Sequence, residues 1–202
     1  MRKAYDSINF KFINKCLKFF NFSEDIIKWV EILLYNFKAV INHCGNISES
    51  FEIGRGCRQG DPIASYLFIL CIEILAHKLR TNDQVQGFKL RAEGHGDGLG
   101  ILQHLLEIYA DDMTIFMEPS EENLRNVINI LNDFFKLSGL KVSASKTKAV
   151  WFGSQSNSDQ RLCQDLGLKW VNKFTLLGIE FDCSLSEMSN NFIEKIEKME
   201  KC

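Results

Sequence analysis

Apolar positions along the chain switch between helical and strand spacing without a regular alternation of the two. Ile8, Phe12, Ile13, Leu17 and Phe20 recur near a 3.6-residue period and predict a first helix over residues 8–20. Ser23 reads as an N-cap followed by Glu24 and Asp25, where carboxylates suit the positive end of a helix. The stripe Ile26, Ile27, Val30, Leu33, Leu34 and Phe37 continues that second helix. Residues 38–53 read as a hairpin, with Gly45-Asn46 as its turn and Ile47, Phe51 and Ile53 on the returning strand. Three glycines make residues 54–60 a loop, and Asp61 with Pro62 then starts a helix carrying Ile63, Leu67, Leu70, Ile74 and Leu75. The glycine-rich stretch 82–98 reads as a loose insertion around a short strand at 88–90. Residues 105–117 predict two strands flanking Asp111-Asp112. Ser120 caps a helix with Leu124, Val127, Ile128, Leu131, Phe134 and Phe135 inward, and Gly139 ends it. Strands at 150–152 and within 174–181 follow, then a charged helix over 192–199. There is no internal repeat. This order predicts an α+β fold, with helices packed on one face of a mostly antiparallel sheet.

Composition narrows the class. The 202 residues are 46% hydrophobic and 25% charged. A chain of this size buries about 70% of its unfolded surface, which is ample for one sizeable core, and its composition is not that of a disordered segment. The longest nearly apolar run, residues 66–76, contains Glu73 and falls short of the roughly 20 residues a membrane-spanning helix needs. Arg2, Lys3 and Asp6 interrupt the apolar core that a signal peptide would require. Seven cysteines, never in Cys-x-x-Cys spacing, then read as reduced thiols, and the scattered cysteines and histidines form no zinc pattern. An intracellular location, cytoplasm or nucleus and away from membranes, is the expectation.

Net charge is −2, without the whole-domain basicity that marks many nucleic-acid binders. The distribution is uneven, however. Residues 91–118 carry six acidic side chains against Arg91, whereas residues 139–153 carry Lys141, Lys146 and Lys148 and no acid. An acidic centre beside a basic segment is what a metal-and-phosphate site needs, although solvated faces produce the same pattern.

Tyr109-Ala110-Asp111-Asp112 is the sharpest local signal. Two adjacent carboxylates between apolar strands fall at a hairpin tip, and crowding them is costly unless a cation offsets the charge. A pair of Mg²⁺ ions does so and can activate a 3′-hydroxyl while steadying a leaving pyrophosphate. The same four residues are also compatible with a plain acidic turn. Arg58-Gln59-Gly60-Asp61-Pro62 is a glycine-bearing loop entering a helix N-terminus, where backbone N–H groups suit phosphates, or simply a helix cap. Lys146, in Ser145-Lys146-Thr147, is placed to meet a phosphate or to be a solvated strand end.

Taken in order, these segments resemble a reverse transcriptase of the non-LTR retrotransposon type. The matching pieces are Arg2-Lys3-Ala4-Tyr5-Asp6-Ser7-Ile8, then Gly56-Cys57-Arg58-Gln59-Gly60-Asp61-Pro62-Ile63 with Tyr66-Leu67-Phe68, then Tyr109-Ala110-Asp111-Asp112. Ser138-Gly139-Leu140 with Ser145-Lys146-Thr147 and finally Leu177-Gly178-Ile179 complete the series. The resemblance implies a polymerase palm over residues 1–182, a ferredoxin-like antiparallel sheet with helices on one face, and the start of a thumb or connection helix over 183–202. It implies that Asp111 and Asp112 bind Mg²⁺ or Mn²⁺, two ions in the full-length enzyme, and that Lys146 protonates the leaving pyrophosphate. Tyr5 corresponds to the aromatic that excludes a ribose 2′-hydroxyl. Arg58, Gln59 and Gly60 line the incoming nucleotide, and Leu177-Gly178 forms the primer-grip turn. RNA template, DNA primer and dNTPs are the implied partners.

One departure matters. The family's first motif opens with a metal-ligating Asp three residues before the equivalent of Lys3, a place that would precede Met1, and Asp6 lies too far on to replace it. The family's fingers and endonuclease also have no counterpart here. The expectation is therefore a fragment of an RNA-directed DNA polymerase, inactive as this chain. The alternative is a catalytically silent relic that at most binds nucleic acid or a protein. A palm-type nucleotide cyclase fits less well, because its loop signatures differ.

Overall fold

The computed structural model describes residues 4–35, 37–57, 60–92, 100–110, 112–141, 146–156 and 158–183. By its contacts the chain divides into two compact units, residues 1–142 and 143–202, and each is described by itself.

The first unit begins with a single turn, α1 (Ala4–Ser7), followed by α2 (Phe10–Phe19). The first helix thus starts at Phe10 rather than at residue 8, because Asn9 takes the N-cap and its side chain accepts the Lys11 N–H at 2.9 Å. Next come α3 (Glu24–Leu34), capped by Ser23, and a long ribbon. Its strands are β1 (Phe37–Ala39), β2 (Asn42–His43), β3 (Asn46–Ile47) and β4 (Phe51–Ile53). β1 pairs with β4 and β2 with β3, so the expected hairpin is present. Its tight turn is Cys44-Gly45, one residue earlier than expected, and both residues take positive φ (52° and 86°). The Asn42 side chain accepts the Gly45 N–H at 3.2 Å and so favours that placement.

Asp61 caps α4 (Pro62–Arg80) through a 3.1 Å bond from the Ile63 N–H, with Pro62 in the first turn, as the sequence predicts. β5 (Phe88–Ala92) and β6 (Gly100–His104) then pair antiparallel over five residues each, so the region read as a loose insertion carries a regular ribbon. β7 (Leu106–Tyr109), β8 (Asp112–Ile115) and α5 (Glu121–Ser138) complete the unit. Gly139 ends α5 at φ 79°.

Helices supply the core. α2 packs on α3, α4 and α5, and α4 packs on α5. Ile13, Leu17, Phe68, Leu75, Leu79 and Val127 are all but inaccessible to solvent, and each side chain of this size contributes roughly 1.5–3 kcal/mol through burial. Phe12 meets Phe134 edge-on at 5.4 Å. On α3 the expected apolar stripe is wider than the core can cover. Ile27, Val30 and Leu34 are buried and Ile26 and Leu33 stay exposed, while Phe37, expected to continue this helix, lies on β1 because α3 ends at Leu34. α4 exceeds the expectation drawn from its apolar run. At 19 residues and a mean hydropathy of 1.5, it is long and apolar enough to cross a membrane by length and composition. One face, including Leu67, Phe68, Cys71, Ile72, Leu75 and Leu79, lies in the core described above.

Backbone contacts tie the start of this unit to distant segments. The Asn9 N–H donates to the Ser138 carbonyl at 2.8 Å, the Gly56 N–H to Ile8 at 2.8 Å, and the Cys57 N–H to Tyr5 at 2.7 Å. A Cβ on Gly56 would lie 2.8 Å from the Asp6 carbonyl oxygen, and one on Gly139 would lie 2.8 Å from that of Ser7. A buried Asn123 makes a second tie. Its Oδ1 accepts the Gln86 N–H at 3.0 Å, and its Nδ2 donates to the carbonyls of Gln86 (2.7 Å) and Glu118 (3.1 Å).

In the second unit β9 (Lys148–Ala149) runs parallel to β10 (Lys169–Trp170), and β11 (Lys173–Leu176) forms a hairpin with β12 (Ile179–Asp182). The first strand lies at 148–149 rather than 150–152. Beyond it the Trp151 indole N–H bonds the Gln160 carbonyl at 2.7 Å, and residues 153–155 close a 3-10 turn. The Trp151 and Trp170 rings meet at 4.8 Å, tilted by 31°, with the Arg161 guanidinium 5.6 Å from the Trp170 ring. The helix expected at 192–199 lies outside the described residues. Helices and mainly antiparallel strands are both present, as expected, but among the described residues the strands form six two-stranded ribbons rather than one sheet.

Gly56→Ala and Gly60→Ala separate strain from collision. Both glycines have φ near 90°, but nothing lies within 4 Å of a Cβ on Gly60. Gly60→Ala is expected to cost about 1–2 kcal/mol in urea denaturation. Gly56→Ala is expected to cost more, roughly 2–4 kcal/mol, because the new methyl group also meets backbone. Equal losses would show that the close approach to Asp6 contributes nothing.

Candidate active site

The acidic hairpin is built from its base upward. Leu105 and Leu106 are buried, and Ile108, Met113 and Ile115 pack against the core from the same ribbon. The Phe116 N–H donates to the Leu105 carbonyl at 2.8 Å and fixes the foot of the hairpin. The register runs Leu106↔Ile115, Glu107↔Thr114, Ile108↔Met113 and Tyr109↔Asp112. That pairing closes a tight tip directly after Tyr109, with Ala110 as its first residue. Such tips need positive φ, and Ala110 takes 52°. A residue with a Cβ costs about 1–2 kcal/mol in that region, so the tip holds mild backbone strain beside the carboxylates. Asp112 is exposed at the tip, next to the exposed Tyr109. Asp111 lies outside the described residues.

Tyr5 sits on α1 and is half-buried. Its ring stacks on Phe68 of α4 at 4.7 Å, and its carbonyl accepts the Cys57 N–H. Tyr5 is therefore held by the start of the glycine loop on one side and by the helix that loop feeds on the other. Gly60, exposed at φ 88°, ends the loop. Arg58 and Gln59 lie outside the described residues. In the second unit, Lys146 is exposed at a turn. Leu177 and Gly178 form the β11–β12 tip with φ of 50° and 77°, and Leu177 is 54% exposed. Leu177 thus holds a bulky side chain in the left-handed region, turned to solvent, at the tip of a tight hairpin.

Two features of the site escape sequence reading. Phe68 as the floor beneath Tyr5 needs the tertiary fold, although it falls inside the Tyr66-Leu67-Phe68 piece already singled out. The buried thiols Cys16, Cys57 and Cys71 lie just beneath this region. Burial, and then the Asp61 carboxylate, push the Cys57 thiol up to about 11. A hydrogen bond with Cys16, together with burial, raises Cys71 as well. These effects favour the neutral thiol, so Cys57 and Cys71 are inert packing rather than nucleophiles.

Among the described residues no three His, Cys, Asp or Glu side chains converge as a metal cluster. Carboxylate oxygen is nevertheless the donor a hard cation takes, and Mg²⁺ commonly binds through one or two carboxylates, with water and phosphate completing its shell. An exposed Asp112 beside Asp111 fits such a cation.

Over residues 1–181 the chain matches the family described as reverse transcriptase (RNA-dependent DNA polymerase). It is 29% identical over 153 residues to the "Retrovirus-related Pol polyprotein from type-2 retrotransposable element R2DM" of Drosophila melanogaster, covering 76% of this chain and 13% of that protein. The corresponding polyprotein of the type-1 element R2 of Popillia japonica is 23% identical over 151 residues, 74% of this chain and 20% of its own length. The "Transposon TX1 uncharacterized 149 kDa protein" of Xenopus laevis is 22% identical over 201 residues, 99% of this chain and 14% of that protein. The chain thus spans a fifth or less of the length of these curated relatives.

The buried Cys57 makes stability depend on alkaline pH. Its folded value lies above the unfolded value of 9.0, so the unfolded chain loses the proton first and stability falls as pH rises from 9.0 to about 11. Cys57→Ala is expected to flatten that part of the curve in denaturation measured against pH. An unaltered slope would show that Cys57 ionises freely in the folded chain.

Proposed function

This chain belongs to the reverse transcriptase (RNA-dependent DNA polymerase) family, and from that premise we propose that it is part of a non-LTR retrotransposon polymerase. The reaction is nucleotidyl transfer, with dNTPs added to a DNA primer along an RNA template, and it belongs to the longer protein. The observation that carries the reading is the tight tip closed by Tyr109↔Asp112. It supports the placement of adjacent carboxylates at the end of a rigid hairpin, in a chain whose family match runs through residue 181.

In this reading residues 1–182 are the polymerase palm and residues 183–202 begin the thumb. Asp111 and Asp112 hold Mg²⁺ or Mn²⁺, two ions in the complete enzyme, and the ions supply charge neutralisation at the transferring phosphate. The chain's own groups do the positioning. Tyr5, braced by Phe68, offers a ring edge that excludes a 2′-hydroxyl, because a ring stacked on a core helix yields little to a bulkier sugar. Arg58, Gln59 and Gly60 orient the incoming nucleotide, and backbone N–H groups near the N-terminus of α4 favour its phosphates. Lys146 holds the proton that the departing pyrophosphate takes up. Leu177-Gly178, at its left-handed turn, supports the primer strand.

Primer extension tests this reading. The full-length protein is expected to extend a DNA primer on RNA with dNTPs and Mg²⁺ or Mn²⁺, whereas the 202-residue chain alone is not. Asp112→Asn is expected to lower the full-length rate by about a hundredfold or more, with unchanged melting because Asp112 is exposed. Full activity in Asp112→Asn would overturn the reading.

A further inference from the structure

The second unit carries a basic face that Lys146 alone does not account for. β9 and β10 pair in parallel with Lys148 directly opposite Lys169 and Ala149 opposite Trp170. Directly paired residues share a face of the ribbon, and the strands lie about 4.8 Å apart. Lys148 and Lys169 therefore stand side by side, and both are exposed. Among the described residues neither has an ion-pair partner. Like charges directly opposite one another destabilise a strand pair. Residues 146–156 and 166–179 contain Lys146, Lys148, Lys169 and Lys173 and no Asp or Glu.

Packing on the other face holds this register in place. Trp170 packs against Trp151, the rings tilted by 31°, and lies under Arg161. A one-residue slip would turn Trp170 to the lysine face and lose that packing. The ribbon thus keeps two ammonium groups adjacent at a cost that an anion between them removes.

We propose that the Lys148/Lys169 face seats the phosphodiester backbone of a single-stranded nucleic acid. The inference rests on the polymerase reading for the identity of its occupant, and on the strand register, independently of the Asp112 hairpin, for its location. A phosphate between the two ammonium groups makes charge-assisted hydrogen bonds, relieves their repulsion and releases condensed counterions. The contact is independent of base sequence. Lysine acts as a point charge, and Trp151 and Trp170 are engaged with each other on the opposite face.

The test uses the whole chain without metal or nucleotide and a short, labelled, mixed-sequence single-stranded RNA, with binding read by fluorescence anisotropy across salt concentrations. The double variant Lys148→Gln/Lys169→Gln is expected to bind about tenfold more weakly, with its log–log salt slope reduced by about 0.7, the value for one lost phosphate contact on a single strand. Lys148→Arg/Lys169→Arg should retain binding. Lys11→Gln/Lys18→Gln, an exposed pair on α2 with the same change in net charge, should leave it unchanged. Without RNA the Gln variant should melt at or above the wild-type temperature, because the repulsion is gone. Saturating RNA should raise the melting temperature of the wild type more than that of the variant. An unchanged slope, or an equal loss in the α2 pair, would refute the proposal. So would a loss confined to phosphatidylserine vesicles, which would assign the face to a membrane. Binding is read without metal, so a failure of primer extension would sink the polymerase reading and leave this result standing.

Discussion

The constraint on which the first unit depends is the capture of residues 5–9 between two remote stretches of backbone. Gly56 and Cys57 donate to Ile8 and Tyr5 from one side, and Ser138 accepts from Asn9 on the other. Neither Gly56 nor Gly139 leaves room for a Cβ against Asp6 and Ser7. Ile8 is fully buried between them. Hydrogen bonds of this kind contribute only about 1 kcal/mol each. Their importance is geometric, because they set where α2 starts, where Tyr5 points and where the loop into α4 leaves the core.

From that anchor the site is assembled by side chains that do other work as well. Phe68 is both a core residue and the surface on which Tyr5 lies. Asp61 caps α4 and also helps keep Cys57 neutral. The β7–β8 hairpin stands on Leu105 and Leu106, so its tip can bear strain at Ala110 without moving its base. The left-handed Leu177 repeats the arrangement in the second unit, where a paired ribbon again ends in a conformation that only a well-held tip maintains.

Features set by near neighbours were legible in the sequence. Ser23, Asp61-Pro62 and Ser120 cap where the pattern placed them, and Gly139 takes the left-handed stop, because caps are local chemistry. The acidic hairpin followed from apolar alternation on both sides of Asp111-Asp112. Errors arose where a side chain reached outside the window being read. Asn42 drew the first tight turn back to Cys44-Gly45, and the Trp151 bond to Gln160 ended β9 two residues after it began. β6 was missed because glycines around it suggested a loop, and its pairing with β5 is visible only in three dimensions. The approach of Gly56 to Asp6, the stack of Tyr5 on Phe68 and the opposition of Lys148 to Lys169 are likewise tertiary facts. For Arg58, Gln59 and Asp111 the motif resemblance alone supplies a role.

The anchor around Ile8 also governs how the protein is made. Asn9 cannot meet Ser138 until roughly 130 further residues have been synthesised, which at about 5–20 residues per second takes roughly 6–26 s. Throughout that interval the buried side of α2, with Phe10, Phe12, Ile13 and Leu17, lacks its α5 partner, and Phe12 lacks the edge-on contact with Phe134. The nascent chain thus presents an aromatic-rich helix face from its first turns onward.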